Sequence, residues 1–114
     1  MSLYRAFSQQ QGNTTAATPQ YPSNAPPILD IGLTTNSAVI LPARTDNRRR
    51  GFILENDGTV PMVFDYGTTV SVAARTALLF PNDIWEDNLN WQGAVAAASV
   101  GGAGAVNLRE VTII

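Results

Sequence analysis

Two regimes of hydrophobic patterning divide this chain of 114 residues. Over residues 1–36 the apolar positions follow neither the 3.6-residue period of a helix nor the alternation of a strand. Gln9-Gln10-Gln11-Gly12-Asn13-Thr14-Thr15 is polar and low in charge; Pro19, Pro22, Pro26 and Pro27 then stiffen the backbone and remove donors. Such a segment lacks the apolar surface to offset its ordering entropy, so it is expected to stay disordered in isolation. Fully extended, it reaches on the order of 120 Å at about 3.3 Å per residue. Two readings follow: a plain polar tail, or a strap whose anchors Leu3, Tyr4, Arg5, Phe7 and Tyr21 seat on neighbouring molecules.

From residue 37 onward the pattern changes to short apolar runs punctuated by turn residues. Ser37–Leu41 ends at Pro42. Arg49–Glu55 is followed by Asn56-Asp57-Gly58-Thr59, in which Gly58 tolerates positive φ and the Asx side chains bond nearby backbone. Pro61–Tyr66 reads as the return strand, closed by Gly67. Strands are expected at Val70–Ala74 and Ala77–Phe80, with Pro81-Asn82-Asp83 as the next turn. Ile84–Glu86, Gln92–Val100 and Val106–Ile113 complete the set, the last two joined by Gly101-Gly102-Ala103-Gly104 in a hairpin turn or mobile loop. Ala94–Ser99 has helix propensity, but it is too short and too close to glycine to stand as one. Seven or eight short strands spaced about 8–12 residues apart predict an all-β fold, a small jelly-roll-like sandwich over residues 37–114 carrying the N-terminal arm of residues 1–36.

Composition narrows the possibilities for such a domain. A unit this small buries only about 60% of its unfolded surface and is expected to need help from disulfides, a metal or oligomerisation. The chain has no Cys and no His, which removes disulfides and the usual structural zinc site and leaves oligomerisation or a partner surface. A net charge of −2 argues against a general affinity for nucleic acid or anionic membrane. No run approaches the length of a membrane span, and MSLYRAFSQQ has no apolar core of a secretory signal, so neither insertion nor Sec-type export is expected.

Candidate chemistry is sparse. Asp83, Glu86 and Asp87 lack the ligand spacing and central Gly of a calcium loop, and read as solvated turn carboxylates along with Asp46 and Asp57. Gly101–Gly104 is followed by neither Lys-Ser/Thr nor a helix, so it is no phosphate cradle. Serine and threonine have no His or Lys beside them to act as base. The expectation is no enzyme, no cofactor, no metal and no small-molecule substrate. Arg48-Arg49-Arg50 is the one charge cluster; on a strand Arg48 and Arg50 share a face and Arg49 takes the other. It reads as a solvated strand edge, as a site for carboxylates of a protein partner, since arginine without lysine suits bidentate pairing, or, last, as a nucleic-acid contact, for which more basic residues and interleaved aromatics would be needed. Trp85 and Trp91 flank the Glu86–Asn90 turn and read as core and rim packing, a subunit contact or a sugar-stacking platform.

These residues carry a resemblance. Arg48-Arg49-Arg50-Gly51-Phe52-Ile53-Leu54-Glu55-Asn56-Asp57-Gly58-Thr59-Val60-Pro61-Met62-Val63-Phe64 resembles a pattern of small virion proteins of tailed bacteriophages: a basic start, an apolar strand, Asn-Asp-Gly-Thr and a second apolar strand. Phe80-Pro81-Asn82-Asp83-Ile84-Trp85-Glu86, Trp91-Gln92-Gly93-Ala94-Val95 and Arg109-Glu110-Val111-Thr112 are similar to it in order and spacing. Within that class, a polar arm on a β-module is similar to the capsid decoration, or cement, proteins of phages such as cyanophages. The resemblance implies a β-sandwich that assembles as a homotrimer on the exterior of the virion, is made in the host cytoplasm, and stabilises the head over junctions of the major capsid protein. The arm would lash neighbours together, and Arg48, Arg49, Arg50, Trp85 and Trp91 would face capsid or subunits. A head-fibre or tail receptor-binding module, and a carbohydrate-binding β-sandwich, are the alternatives.

Overall fold

The computed structural model describes residues 3–5 and 29–113, and for residues 3–5 only the backbone. Among the described residues there are nine strands and no helix: β1 Leu3–Arg5, β2 Leu29–Leu33, β3 Ala38–Leu41, β4 Arg49–Asn56, β5 Met62–Tyr66, β6 Ala77–Leu79, β7 Ile84–Asp87, β8 Val95–Ser99 and β9 Gly104–Thr112. They form two sheets, in the orders β1-β7-β4-β9-β2 and β3-β8-β5-β6. Four antiparallel pairs, β2 with β9, β3 with β8, β4 with β7 and β5 with β6, nest inside one another like the rungs of one long hairpin. Successive rungs fall in alternate sheets, and β4·β9 and β5·β8 pairing closes each sheet. That wrapping is a jelly roll, so the expected architecture is present. β1 stands outside the wrapping, parallel to β7.

The turns work as their residues predict, but they connect sheets rather than hairpin strands. Asn56 donates its side-chain amide to the carbonyls of Val60 and Leu79, each at 2.9 Å, while its Oδ1 accepts the Gly58 amide at 2.9 Å. The chain thereby leaves β4 in one sheet and enters β5 in the other, so Pro61–Tyr66 is not the return strand of a hairpin. Gly101–Gly104 likewise crosses between sheets from β8 to β9. At Pro81-Asn82-Asp83, Asn82 takes φ 74°, and the Asp83 carboxylate accepts the Phe80 amide at 2.9 Å.

Phe52 and Leu54 of β4, Met62 and Phe64 of β5, Val95 and Ala97 of β8, and Val106 and Leu108 of β9 point between the sheets. Phe64 lies at the centre, edge-on to Phe52 (6.3 Å between ring centroids), Tyr66 (5.9 Å) and Trp85 (5.1 Å). β8, the run with helix propensity, is a strand buried on both faces. Its Ala96 and Ala98 face outward beneath Val63 and Val70, with Leu78 and Val100 alongside. Loop 67–76 folds over that outer face, which explains why β8 shows no polar alternation.

Three sequence expectations are corrected here. Val70–Ala74 is not a strand: the Val70 amide bonds the Ser37 hydroxyl, and reciprocal Ser71–Ala74 backbone bonds close a turn. Burial of Val70 as a clamp on the sheet, rather than strand pairing, accounts for its apolar character. Gln92–Val100 shortens to Val95–Ser99, because Trp91–Gly93 bend around Arg49. Finally, Leu29–Leu33, inside the segment read as arm, pairs with β9 along its whole length and places Leu33 in the core. Phe7 and Tyr21 lie outside the described residues.

Candidate functional site

The three consecutive arginines enter β4 at a β-bulge between Arg49 and Gly51. The bulge allows a close approach: a Cβ on Gly51 would sit 1.9 Å from the carbonyl oxygen of Asp87 on the neighbouring strand. One extra residue on β4 turns Arg49 into the interior, where it is 1% exposed. Its Nε donates to Glu110 at 2.7 Å, Nη1 to the carbonyls of Gly93 (2.7 Å) and Trp91 (3.2 Å), and Nη2 to that of Pro42 (2.5 Å). Gln92 completes the clamp by accepting the Arg49 amide at 3.2 Å and donating to its carbonyl at 2.6 Å. A buried cation needs such full satisfaction, and here it ties two loops to the end of one sheet. Arg49 therefore has no surface to offer a partner, which corrects its assignment as a contact residue.

Its neighbours stay at the surface. Arg48 is exposed and donates to the Ile113 carbonyl at 3.1 and 2.9 Å; Arg50 donates to the carbonyls of Asn47 and Arg49. Arg44, which no sequence pattern singled out, joins Glu110 at 3.2 Å and Asp46 at 2.7 Å. Hydrogen bonding to Asp46 holds the Arg44 guanidinium above its usual range, and the same bond holds the Asp46 carboxyl well below the ordinary carboxylate range. Among the described residues, Arg49 alone of the basic run joins this ion-pair network of Arg44, Asp46 and Glu110.

The two tryptophans separate. Trp85 on β7 is part-buried against Phe64 and faces the core, in line with its reading as core packing. Trp91 stands at the rim, 37% exposed, edge-on to Tyr66 at 5.5 Å, with its indole N–H donated to the Ala94 carbonyl at 2.8 Å. Gly93 lies against the indole, where a Cβ would come within 2.5 Å of the ring. Trp85 and Trp91 are thus stacked on different partners and do not make one platform. Exposed Leu89 flanks Trp91 along the same loop.

Beneath that rim lies a pair invisible to motif reading. The Tyr66 hydroxyl donates to Asp87, whose other oxygen accepts the Leu89 amide at 3.3 Å. Burial pushes the Asp87 carboxyl above its ordinary range and, with the carboxylate beside it, pushes the Tyr66 phenol up as well. The register that places Asp87 opposite Phe52, on the inner face, is what buries it; the spacing Asp83, Glu86, Asp87 carried no hint of this. Among the described residues no group of three or more acidic side chains converges as a metal site.

Elsewhere, exposed Phe80 marks the β6–β7 turn, and Val72 caps loop 67–76. On the outer face of the five-stranded sheet, Ile53, Glu55, Asn107, Leu108 and Arg109 line a groove of about 180 Å³. Leu3, Tyr4 and Arg5, read as arm anchors, form β1 and pair through their backbone with Ile84, Trp85 and Glu86.

No family model, curated protein or solved structure matches this chain.

Proposed function

We propose that this chain is a structural protein of a phage virion: a decoration protein that binds the capsid exterior over junctions of the major capsid protein and works as a homotrimer. The observation that carries the reading is the placement of a short N-terminal strand at the edge of a small jelly roll, separated by residues 6–28 from a domain that is complete without it. A detachable strand on a compact body is a means of joining neighbours. The motif-bearing stretch of the resemblance, residues 48–64, supports the same reading, since it forms the β4 and β5 centre of the two sheets. Arms that order on docking cover a large area, and repeated weak contacts gain affinity through multivalency. Contact surfaces on the domain would be the exposed rim at Leu89 and Trp91 with Arg48 and Arg50, in place of the buried Arg49 and core-facing Trp85.

The test is reconstitution. Heads of the encoding phage, stripped of this protein, should recover resistance to heat and chelation when the full chain is added, with density for it on the outside. A chain lacking residues 2–28 should bind far more weakly. Heads that neither bind the full chain nor gain resistance would remove the proposal, and glycan binding lost on Trp91→Ala would favour a carbohydrate-binding module.

A further inference from the structure

Eight strands complete the jelly roll, and β1 adds a ninth in parallel along the outer edge of β7. The backbone register pairs Leu3 with Ile84, Tyr4 with Trp85 and Arg5 with Glu86. A strand edge carries a row of backbone donors and acceptors and is a template for any chain that can extend along it. Three rows of parallel pairing show that the β7 edge accepts such a strand.

The connection decides how far that occupant can travel. β1 and β2 occupy opposite edges of the five-stranded sheet, four strand spacings apart, or roughly 19 Å. Arg5 lies level with Glu86, Ile53 and Arg109, and Leu29 lies beside Leu108, so both ends of the connection meet the same end of the sheet. Residues 6–28 extend to on the order of 75 Å. That is several times the crossing distance and more than the 42 Å longest dimension of the protein. A strand on so long a tether reaches the equivalent edge of an adjoining copy. Donor and acceptor are different surfaces, so two copies can exchange strands reciprocally about a two-fold, or more copies can do so head to tail in a ring when the rotation closes. A three-residue strand holds weakly alone; a closed ring engages every donor at once.

We infer that the β7 edge is a docking site for a second copy of this chain, with Leu3–Arg5 of each copy pairing with Ile84–Glu86 of the next. The exchange concerns contacts between copies and holds whatever larger surface they occupy, so its failure leaves capsid binding as a separate result.

The chain has no cysteine, so introduced thiols report without background. Full-length Arg5→Cys and Glu86→Cys chains, unfolded, refolded together and oxidised, are expected to give a disulfide-linked pair at twice the 12.2 kDa chain mass. Pairing Arg5→Cys with Arg75→Cys, a position on the other sheet's loop, should give none. The Leu3→Cys and Ile84→Cys pair repeats the test should Glu86→Cys fail to fold. A chain lacking residues 2–5 should run as a monomer by light scattering at concentrations where the full chain is oligomeric. The inference is overturned if the mixtures stay unlinked while the Arg5→Cys/Glu86→Cys double variant closes an internal bond at single-chain mass. A full chain that is monomeric, or an oligomer that survives loss of residues 2–5, also overturns it.

Discussion

Replacing Arg49 by methionine tests whether the buried guanidinium organises the rim. Methionine keeps most of the stem volume, so cavity formation is a minor part of the effect, and the loss is one of hydrogen bonds. Three carbonyls, those of Pro42, Trp91 and Gly93, lose their donor. An orphaned buried acceptor costs about 1–3 kcal/mol, and these part-buried carbonyls on a rim that water can enter take the low end. Glu110 also loses a 2.7 Å bond, but it keeps Arg44 and remains partly solvated, so the penalty for an uncompensated charge is small there. The sum is about 3–4 kcal/mol. A domain of this size is stable by roughly 4–12 kcal/mol in all, so the change removes a large fraction. Urea unfolding followed by tryptophan fluorescence is a direct assay, because Trp91 sits on the loop that Arg49 holds. With a slope near ~1 kcal/mol/M, the midpoint should fall by about 3 M. Arg50→Met is the control: its guanidinium bonds only nearby carbonyls at the surface, and the expected change is within about 0.5 kcal/mol. If the two variants unfold at the same urea concentration, the hub has been misread.

Other perturbations separate the remaining elements. Gly51→Val should prevent folding or shift β7 away from β4, since its Cβ meets the Asp87 carbonyl oxygen at 1.9 Å; loss of near-ultraviolet dichroism would report it, and a native spectrum would contradict the close approach. Removing residues 2–28 should leave the eight-stranded domain folded. Removing residues 2–36 also deletes β2 and the core residue Leu33, and should cost at least 2–5 kcal/mol by thermal denaturation. Acid titration of stability has two signs. The folded Asp87 binds its proton more tightly than the unfolded chain, so stability falls as pH rises from about 4 through its raised pKa, and Asp87→Asn should flatten that descent. Asp46 is depressed, so its contribution is present above about 4 and fades as pH falls through its lowered pKa; Asp46→Asn should remove that acid-side loss.

Residues with local physics were legible in the sequence, and residues placed by wrapping were not. Asn56-Asp57-Gly58 and Pro81-Asn82-Asp83 announce their turns because their hydrogen bonds are made within a few residues. β4, β5 and β9 announce themselves by apolar runs long enough to span a sheet. Leu29-Asp30-Ile31-Gly32-Leu33 does alternate, but Pro22, Pro26 and Pro27 just before it give the stretch the same composition as the arm. Val70 shows the converse: a buried valine on a loop leaves the same trace as one in a strand. Arg49 and Asp87 are the site residues least accessible to motif reasoning. Each faces inward because of a long-range fact, a bulge in β4 for one and the β4–β7 register for the other. Triple arginine reads as surface charge until the bulge is known.

Where a body this small can present itself to a large partner follows from what it has already used. The space between its sheets is filled, and the outer face of the four-stranded sheet is covered by Val70 and its neighbours. Of the basic run, Arg49 is spent on internal carbonyls and Glu110. Among the described residues the exposed large apolar side chains are scattered: Leu89 and Trp91 on one rim, Phe80 on the β6–β7 turn, Val72 at the tip of loop 67–76, Leu29 at the start of β2 and Val39 in β3. A standard stable interface takes roughly 800 Å² per partner, spread over about 20–30 residues rather than one or two side chains. A lone copy touching a shell through one of them is held weakly and released fast. Copies joined through their edges present the same small contacts several times over, and a second contact made while the first holds forms at an effective concentration set by the tether. On the proposed reading, then, affinity for the capsid resides in the joining of copies. Capsid binding should weaken steeply, not in proportion, when the joining strand is lost.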